Sequence, residues 1–99
     1  MILIVGTVRI PADGLEVALP AMAAMVAASR AEDGCIHYAY AQDVLDPAVI
    51  HVSEAWRDRA ALAAHFATPH LAAWRAQFAE LGITDRDLKL YETDEGEPV

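Results

Sequence analysis

The sequence predicts a single α+β domain with the ferredoxin-like element order β-α-β-β-α-β. Three observations support this fold class: four short segments have the residue pattern of strands, two longer regions have helical apolar spacing, and turn-forming residues separate them. The length of 99 residues suits one domain. We assign residues 1–93 to this domain and residues 94–99 to an acidic C-terminal tail.

The first strand is predicted over residues 2–10, because β-branched side chains dominate it and Pro11 ends it. Apolar side chains occupy both faces, as expected for a strand covered on both sides. We expect the face directed away from the helices to carry Ile2, Ile4, Val8 and Ile10. A second copy of the sheet is the simplest cover for those side chains, so we predict a homodimer.

The first helix follows this strand. Asp13 with Glu16 three residues later predicts a capping box at its start. Pro20 lies inside the helical pattern and is expected to kink the helix or to mark where it restarts. Gly34 is expected to end the region.

Two further strands are predicted at residues 35–42 and 49–56, paired as a hairpin around the turn at Asp46-Pro47. Alternation places one set of side chains on the face toward the helices and another set on the opposite face. The first set includes Tyr38, Tyr40, Glu54 and Trp56, and the second includes His37 and His51.

The second helical region carries two start signals. Asp58 is predicted to cap its first part, and Thr68 with Pro69 predicts a new start. Gly82 is expected to end the region, and residues 83–93 to form the last strand. From Pro69 onward one apolar stripe is expected, formed by Leu71, Trp74, Phe78 and Leu81.

Composition excludes several functional classes. The net charge of −8 and the lack of a basic cluster argue against a nucleic-acid partner. The single cysteine, Cys35, cannot form an internal disulfide, which fits a reducing compartment. We find neither a basic leader nor an apolar stretch of the ~20 residues that would span a bilayer, so no membrane partner is expected. We therefore expect a soluble, cytoplasmic protein.

Sequence motifs do not indicate a bound metal ion or cofactor. The chain contains no CxxC, no phosphate-binding loop, no GxGxxG and no GxSxG. His65 and His70 are five residues apart across a predicted helix break, which is not the i, i+4 spacing of a helical zinc pair. We predict neither a metal site nor a cofactor.

Aromatic and imidazole side chains are concentrated on elements predicted to share one core. Large apolar walls with a few polar groups suit a flat aromatic ligand. Histidine titrates near neutral pH and can accept a proton from a phenol. The residues concerned are Tyr38, Tyr40, Trp56, His65, Phe66, His70, Trp74 and Phe78.

Each of these residues also has a purely structural interpretation. Trp74 and Phe78 on a helical stripe are typical of a core, and His65 can be a semi-buried histidine bonded to the backbone. Glu54 in mid-strand needs a partner, and an ion pair with Arg9 or Arg75 is the structural interpretation.

Three segments of the chain resemble the antibiotic biosynthesis monooxygenase family. They are Gly34-Cys35-Ile36-His37-Tyr38, then Glu54-Ala55-Trp56, then the run Leu62-Ala63-Ala64-His65-Phe66-Ala67-Thr68-Pro69-His70-Leu71. The resemblance extends over about residues 2–93, nearly the whole chain. It implies a ferredoxin-like subunit that pairs into a dimeric α/β barrel.

The resemblance also implies an activity, the cofactor-free oxygenation of a small aromatic or quinol-type substrate by dioxygen. His65 and His70 are the candidate catalytic bases. The residues predicted to bind substrate are Tyr38, Trp56, Phe66, Trp74, Thr7 and Glu54. Haem-degrading relatives carry an asparagine in the first strand and a histidine in the last helix, where this chain has Thr7 and Trp74, and this difference argues against haem degradation. The alternative hypothesis is a non-catalytic dimeric module that binds an aromatic metabolite.

Overall fold

Four strands and four helices make up the chain in the computed structural model, which describes residues 1–99. The strands are β1 (Ile2–Arg9), β2 (Cys35–Gln42), β3 (Val49–Trp56) and β4 (Thr84–Glu92). The helices are α1 (Leu15–Arg30), α2 (Arg59–Phe66), α3 (Pro69–Ala76) and α4 (Phe78–Leu81). The predicted ferredoxin-like fold is thus confirmed, with the second helical region divided into three pieces.

The sheet has the order β2-β3-β1-β4, and every neighbouring pair is antiparallel. The first and last strands therefore lie side by side, and they tie the two ends of the domain together. The ammonium group of Met1 donates to the carbonyl of Thr93 at 2.9 Å, and the Thr93 N–H donates to the carbonyl of Met1 at 3.0 Å.

The core lies between the sheet and the helices. Ile2, Ile4, Val8 and Ile10 are all buried there with at most 8% exposure, so the prediction that they face away from the helices was wrong. The opposite, open face of the sheet carries the alternating residues Leu3, Val5 and Thr7, which are half-buried. Because both faces of β1 are apolar, alternation alone could not choose between them.

The start of α1 also differs from the prediction. Gly14 occupies the N-cap position, and no side chain caps the helix. Asp13 lies instead within the turn that Pro11 starts, where the Gly14 N–H donates to the Pro11 carbonyl at 2.8 Å. The helix continues through Pro20 as one element, without a restart.

The caps predicted for the second helical region are confirmed. Asp58 accepts a hydrogen bond from the Ala61 N–H at 2.8 Å, and Thr68 accepts one from the Leu71 N–H at 3.3 Å. Gly82 ends α4 in the left-handed conformation, with φ 70°. None of the helices combines the length and hydrophobicity needed to cross a bilayer.

Candidate functional site

A cavity of about 210 Å³ lies between the sheet and the helices. Hydrophobic residues make up 15 of its 20 lining residues, so its wall is mainly apolar. Small-molecule pockets usually measure about 300–1,000 Å³, and the cavity therefore suits a ligand of one or two rings.

One wall of the cavity is aromatic. The hydroxyl groups of Tyr38 and Tyr40 hydrogen-bond at 2.8 Å. The Tyr40 ring stacks on Trp74 with centroids 5.8 Å apart and an interplanar angle of 24°, and Phe78 meets Trp74 edge to face at 5.2 Å. Burial raises the pKa of Tyr40 to about 12 and that of Tyr38 still further. Both phenols are therefore neutral at physiological pH; one donates to the other, so one O–H of the pair is available to donate to a ligand oxygen.

A carboxylate bridges the two predicted catalytic histidines. Oε2 of Glu32 lies 2.6 Å from Nδ1 of His65 and 2.8 Å from Nε2 of His70. Because an ionised carboxylate only accepts hydrogen bonds, each ring nitrogen facing it carries a proton. In the neutral ring of His65 the unprotonated nitrogen is then Nε2, which makes no hydrogen bond within the chain. His65 borders the cavity, so the site combines an apolar pocket with an oriented imidazole.

The break between α2 and α3 brings the two histidines together. His65 lies in the last turn of α2 and His70 in the first turn of α3, with their ring centroids 6.0 Å apart. Thr68 stabilises the break, since its hydroxyl donates to the His65 carbonyl at 2.7 Å while it caps α3. The separation of five residues does not suit two ligands on one helix, but it does suit two histidines on either side of the turn between α2 and α3.

Trp56 and Glu54 support His65 from the sheet. Trp56 has no exposed surface, and its ring packs against His65 with centroids 4.5 Å apart. Its Nε1–H donates to Oε1 of Glu54 at 3.0 Å. Neither predicted arginine pairs with Glu54: Arg9 pairs with Asp46, and Arg75 forms no ion pair. The prediction of an ion pair at Glu54 was wrong, and the indole N–H is its hydrogen-bond partner.

Burial raises the pKa of Glu54, so the folded state favours the protonated form. The free energy of unfolding of the parent should therefore fall as the pH rises from the ordinary carboxyl pKa through the raised pKa of the folded state. Glu54→Gln cannot ionise and still offers an oxygen to Trp56, so its Tm should exceed that of the parent at pH 8 and approach it at pH 4. Thermal denaturation across this range, with the exposed Glu80→Gln as control, checks the result. A constant Tm difference would contradict it.

The structure brings most of the predicted site residues together. Tyr38, Glu54, His65, Phe66 and Trp74 border the cavity, with Phe66 about half exposed. Trp56 and His70 lie behind His65 and do not line the cavity.

Thr7 lies furthest from the predicted arrangement, since Trp56 and His70 at least pack against His65. It lies on the open face of the sheet, paired in register with His51, and does not reach the cavity. Its predicted place in the substrate pocket therefore has to be corrected. The reason is the reversed assignment of the faces of β1, which moved every odd-numbered residue of that strand to the other side.

Sequence analysis missed Glu32. It lies just beyond the end of α1, 33 residues before His65, and its acidic neighbour Asp33 looks the same in the sequence. Only the contacts of Glu32 with His65 of α2 and His70 of α3 distinguish the two carboxylates.

Sequence analysis also missed two arginines that border the cavity, Arg75 and Arg86. Neither forms an ion pair, although the chain has 15 acidic residues against 7 lysines and arginines. The Arg86 guanidinium lies 5.5 Å from the centroid of Phe78, close enough for a cation–π contact. Three other arginines are paired, as Arg9–Asp46, Arg57–Asp33 and Arg59–Glu92. Arg30 also forms no ion pair, but its Nε–H donates to the Tyr38 carbonyl at 2.8 Å. The guanidinium groups of Arg75 and Arg86 therefore lie where a ligand in the cavity would meet them.

A four-stranded antiparallel sheet with helices on one face and an aromatic cavity between the layers defines a ferredoxin-like domain suited to a small aromatic ligand. The family model for antibiotic biosynthesis monooxygenases matches residues 1–77. The chain belongs to this family.

Solved structures agree with the family assignment. A candidate antibiotic biosynthesis monooxygenase from Deinococcus radiodurans is 25% identical, with a TM-score of 0.91 over 100% of this chain and 98% of that one. Rv0793 from Mycobacterium tuberculosis is 26% identical, with a TM-score of 0.77 over 97% and 98% of the two chains.

Among sequence relatives, an uncharacterized protein of Synechocystis sp. is 29% identical over 94 residues, which are 95% of this chain. The chain spans 64% of the length of that curated relative.

Proposed function

We propose that this protein is a cofactor-independent monooxygenase that oxidises a small aromatic or quinol-type substrate with dioxygen. The observation that carries the proposal is the arrangement of His65, which borders the cavity and whose Nδ1–H is held by Glu32 while Nε2 stays free. A ring fixed in this tautomer acts as a general base through Nε2.

In the proposed reaction, Nε2 of His65 takes the proton of a phenolic hydroxyl. The resulting phenolate transfers one electron to dioxygen, and the substrate radical and superoxide combine to form a carbon peroxide anion. The His65 imidazolium returns its proton to this anion, which gives a hydroperoxide and restores the neutral base. The hydroperoxide loses water, so that one oxygen atom stays on the substrate as a carbonyl and the other leaves as water. The substrate supplies all the electrons. Glu32 stabilises the imidazolium that forms when His65 accepts the proton.

The remaining residues position the substrate. Trp74 and Tyr40 offer aromatic faces for stacking, and one neutral O–H of the Tyr38–Tyr40 pair can hydrogen-bond to a developing oxyanion. The apolar wall excludes water and thereby strengthens these polar contacts.

Arg75 and Arg86 favour a substrate that carries an acidic group. A guanidinium without a carboxylate partner forms charge-assisted hydrogen bonds with an anion that approaches it. The proposed substrate is therefore an aromatic acid that places its ring beside Trp74 and its anionic group near the arginines.

The experiment is oxygen uptake by purified, metal-stripped protein against benzoquinols and naphthoquinols, each paired with a carboxylated analogue, after subtraction of autoxidation. Uptake should saturate with substrate, survive a chelator, and show a lower KM for the carboxylated member. Absence of uptake together with quenching of Trp74 fluorescence would refute the monooxygenase and support the alternative, a non-catalytic binding module.

We also propose that the protein is a homodimer formed through the open face of the sheet. Leu3, Val5 and Ala39 are half-buried there, and Tyr91 is 49% exposed, so apolar side chains meet solvent on the side without helices, beside the polar residues Lys89 and His51. Two-fold dimers, in which both subunits use the same surface, are the commonest homo-oligomers. Two open faces would pair in this way.

Light scattering at micromolar concentration is expected to give twice the 10.7 kDa mass of one chain. Val5→Glu should give a folded monomer, because it places two charges in the centre of the interface. Val17→Glu makes the same change on an exposed position of α1 and should remain dimeric. A monomeric parent at this concentration would contradict the proposal.

A further inference from the structure

Glu32, His65 and His70 each present a possible metal ligand to one point. Oε2 of Glu32, Nδ1 of His65 and Nε2 of His70 all lie within 4.8 Å of one another. Two imidazole nitrogens with one carboxylate oxygen form a known protein ligand set for zinc, which leaves a fourth position open.

The cluster can accommodate a metal ion after the carboxylate and the two imidazole rings adjust their positions. Tetrahedral zinc with ligand distances of about 2.0–2.1 Å separates its ligand atoms by roughly 3.3 Å. The two nitrogens are up to 4.8 Å apart and would have to approach each other. The carboxylate oxygen is now 2.6 Å and 2.8 Å from the two nitrogens, so it would have to withdraw by about half an ångström. Glu32 can move in this way because it lies in a turn beyond the end of α1 and its side chain is 14% exposed.

The cluster can also be reached from outside without passing through the cavity. A second surface depression, which is open to solvent, is lined by Glu32 together with Asp33, Ala61 and Thr68. The side chain of His70 is 26% exposed. A hydrated cation can therefore approach the carboxylate first and the histidines next.

We propose that Glu32, His65 and His70 form a binding site for a divalent zinc ion, and that occupancy of this site inhibits the protein. The inhibition rests on the proposed function of His65 as a base, whereas the binding does not. For Nδ1 to bind zinc, the ring proton moves from Nδ1 to Nε2. Nε2 then becomes a donor and cannot accept the proton of a phenol.

Zinc binding to the full chain is measured first, by calorimetry with zinc alone and by the visible spectrum of cobalt as a substitute. One zinc ion per chain and a tetrahedral cobalt spectrum are expected. Glu32→Gln and His70→Ala should each weaken zinc binding by at least about tenfold. His51→Ala is the matched control, since His51 also bonds a carboxylate, Asp43 at 2.7 Å, but has no second histidine near it.

Absence of binding at micromolar zinc, a cobalt spectrum that is not tetrahedral, or equal weakening in His51→Ala would overturn the site. The inhibition is tested separately: zinc should suppress oxygen uptake in the parent and suppress it less in His70→Ala, each relative to its own metal-free rate. Uptake that continues at saturating zinc would overturn the inhibition. Zinc binding by a protein that takes up no oxygen would leave the site standing and refute the proposed monooxygenase.

Discussion

His65→Ala is expected to reduce the rate of oxygen uptake by about 10²–10⁴-fold while the protein stays folded, because a positioned general base contributes a factor of that size. No other group bordering the cavity combines a free ring nitrogen with a carboxylate that fixes its tautomer. The rate is measured at saturating substrate, and folding is followed by circular dichroism. His51→Ala removes an imidazole from the open face and should keep the parental rate.

The His65→Gln variant tests the same role of His65 if the His65→Ala protein does not fold. His65 is 2% exposed, so truncation to alanine leaves a void and removes a partner of Glu32. Glutamine fills more of the space and can donate to the carboxylate, but it cannot act as a base. A folded His65→Gln protein that retains more than about a tenth of the parental rate would show that the base is elsewhere.

Gly6→Ala is expected to lower the free energy of unfolding by about 3 kcal/mol or more, which corresponds to a fall in Tm on the order of 15 °C for a domain of this size. A Cβ atom at Gly6 would lie 1.8 Å from the Asp87 carbonyl oxygen and 2.8 Å from the Leu88 Cα. Both are backbone atoms of β4, so no side-chain rotation relieves the clash. The substitution must displace β4 from β1.

Thermal denaturation of Gly6→Ala and Gly96→Ala separates this effect from the general cost of replacing glycine. Gly96 lies in the tail, and a Cβ there meets nothing within 4 Å. Its φ of 78° disfavours alanine, but the tail is exposed there and can change conformation, so Gly96→Ala should leave the Tm nearly unchanged. A Gly6→Ala protein within a few degrees of the parent would mean that β4 is less tightly paired than the structure indicates.

Local signals in the sequence predicted the elements well where one interpretation dominated. The bounds of β2 and β3 follow from alternation on either side of the Asp46-Pro47 turn, and the caps at Asp58 and Thr68 follow from side-chain chemistry. Prediction failed where neighbouring residues in the sequence supported two structures equally well. Asp13 and Gly14 both suit an N-cap, and the Pro11 turn selects the glycine.

The sequence predicted which types of residue form the site, but not how they contact one another. Aromatic and imidazole side chains on elements that share a core indicated a pocket, and Tyr38, His65 and Trp74 do border one. The role of Glu32 depends on a contact between segments 33 residues apart, and no spacing rule encodes it. Pairing of the strands likewise decides which face of β1 meets the helices, and this moved Thr7 out of the site.

The pairing of the first strand with the last has a consequence for synthesis of the protein on the ribosome. Residues 2–9 of β1 pair with residues 84–92 of β4, so these contacts join segments far apart in the sequence. The segments between them must therefore leave the exit tunnel before β4 can pair with β1. Such contacts between distant parts of a chain slow folding. Arg86, Leu88 and Leu90 of β4 border the cavity, so the cavity is complete only when the last strand is in place. The nascent chain therefore remains unable to enclose a ligand until β4 has left the exit tunnel.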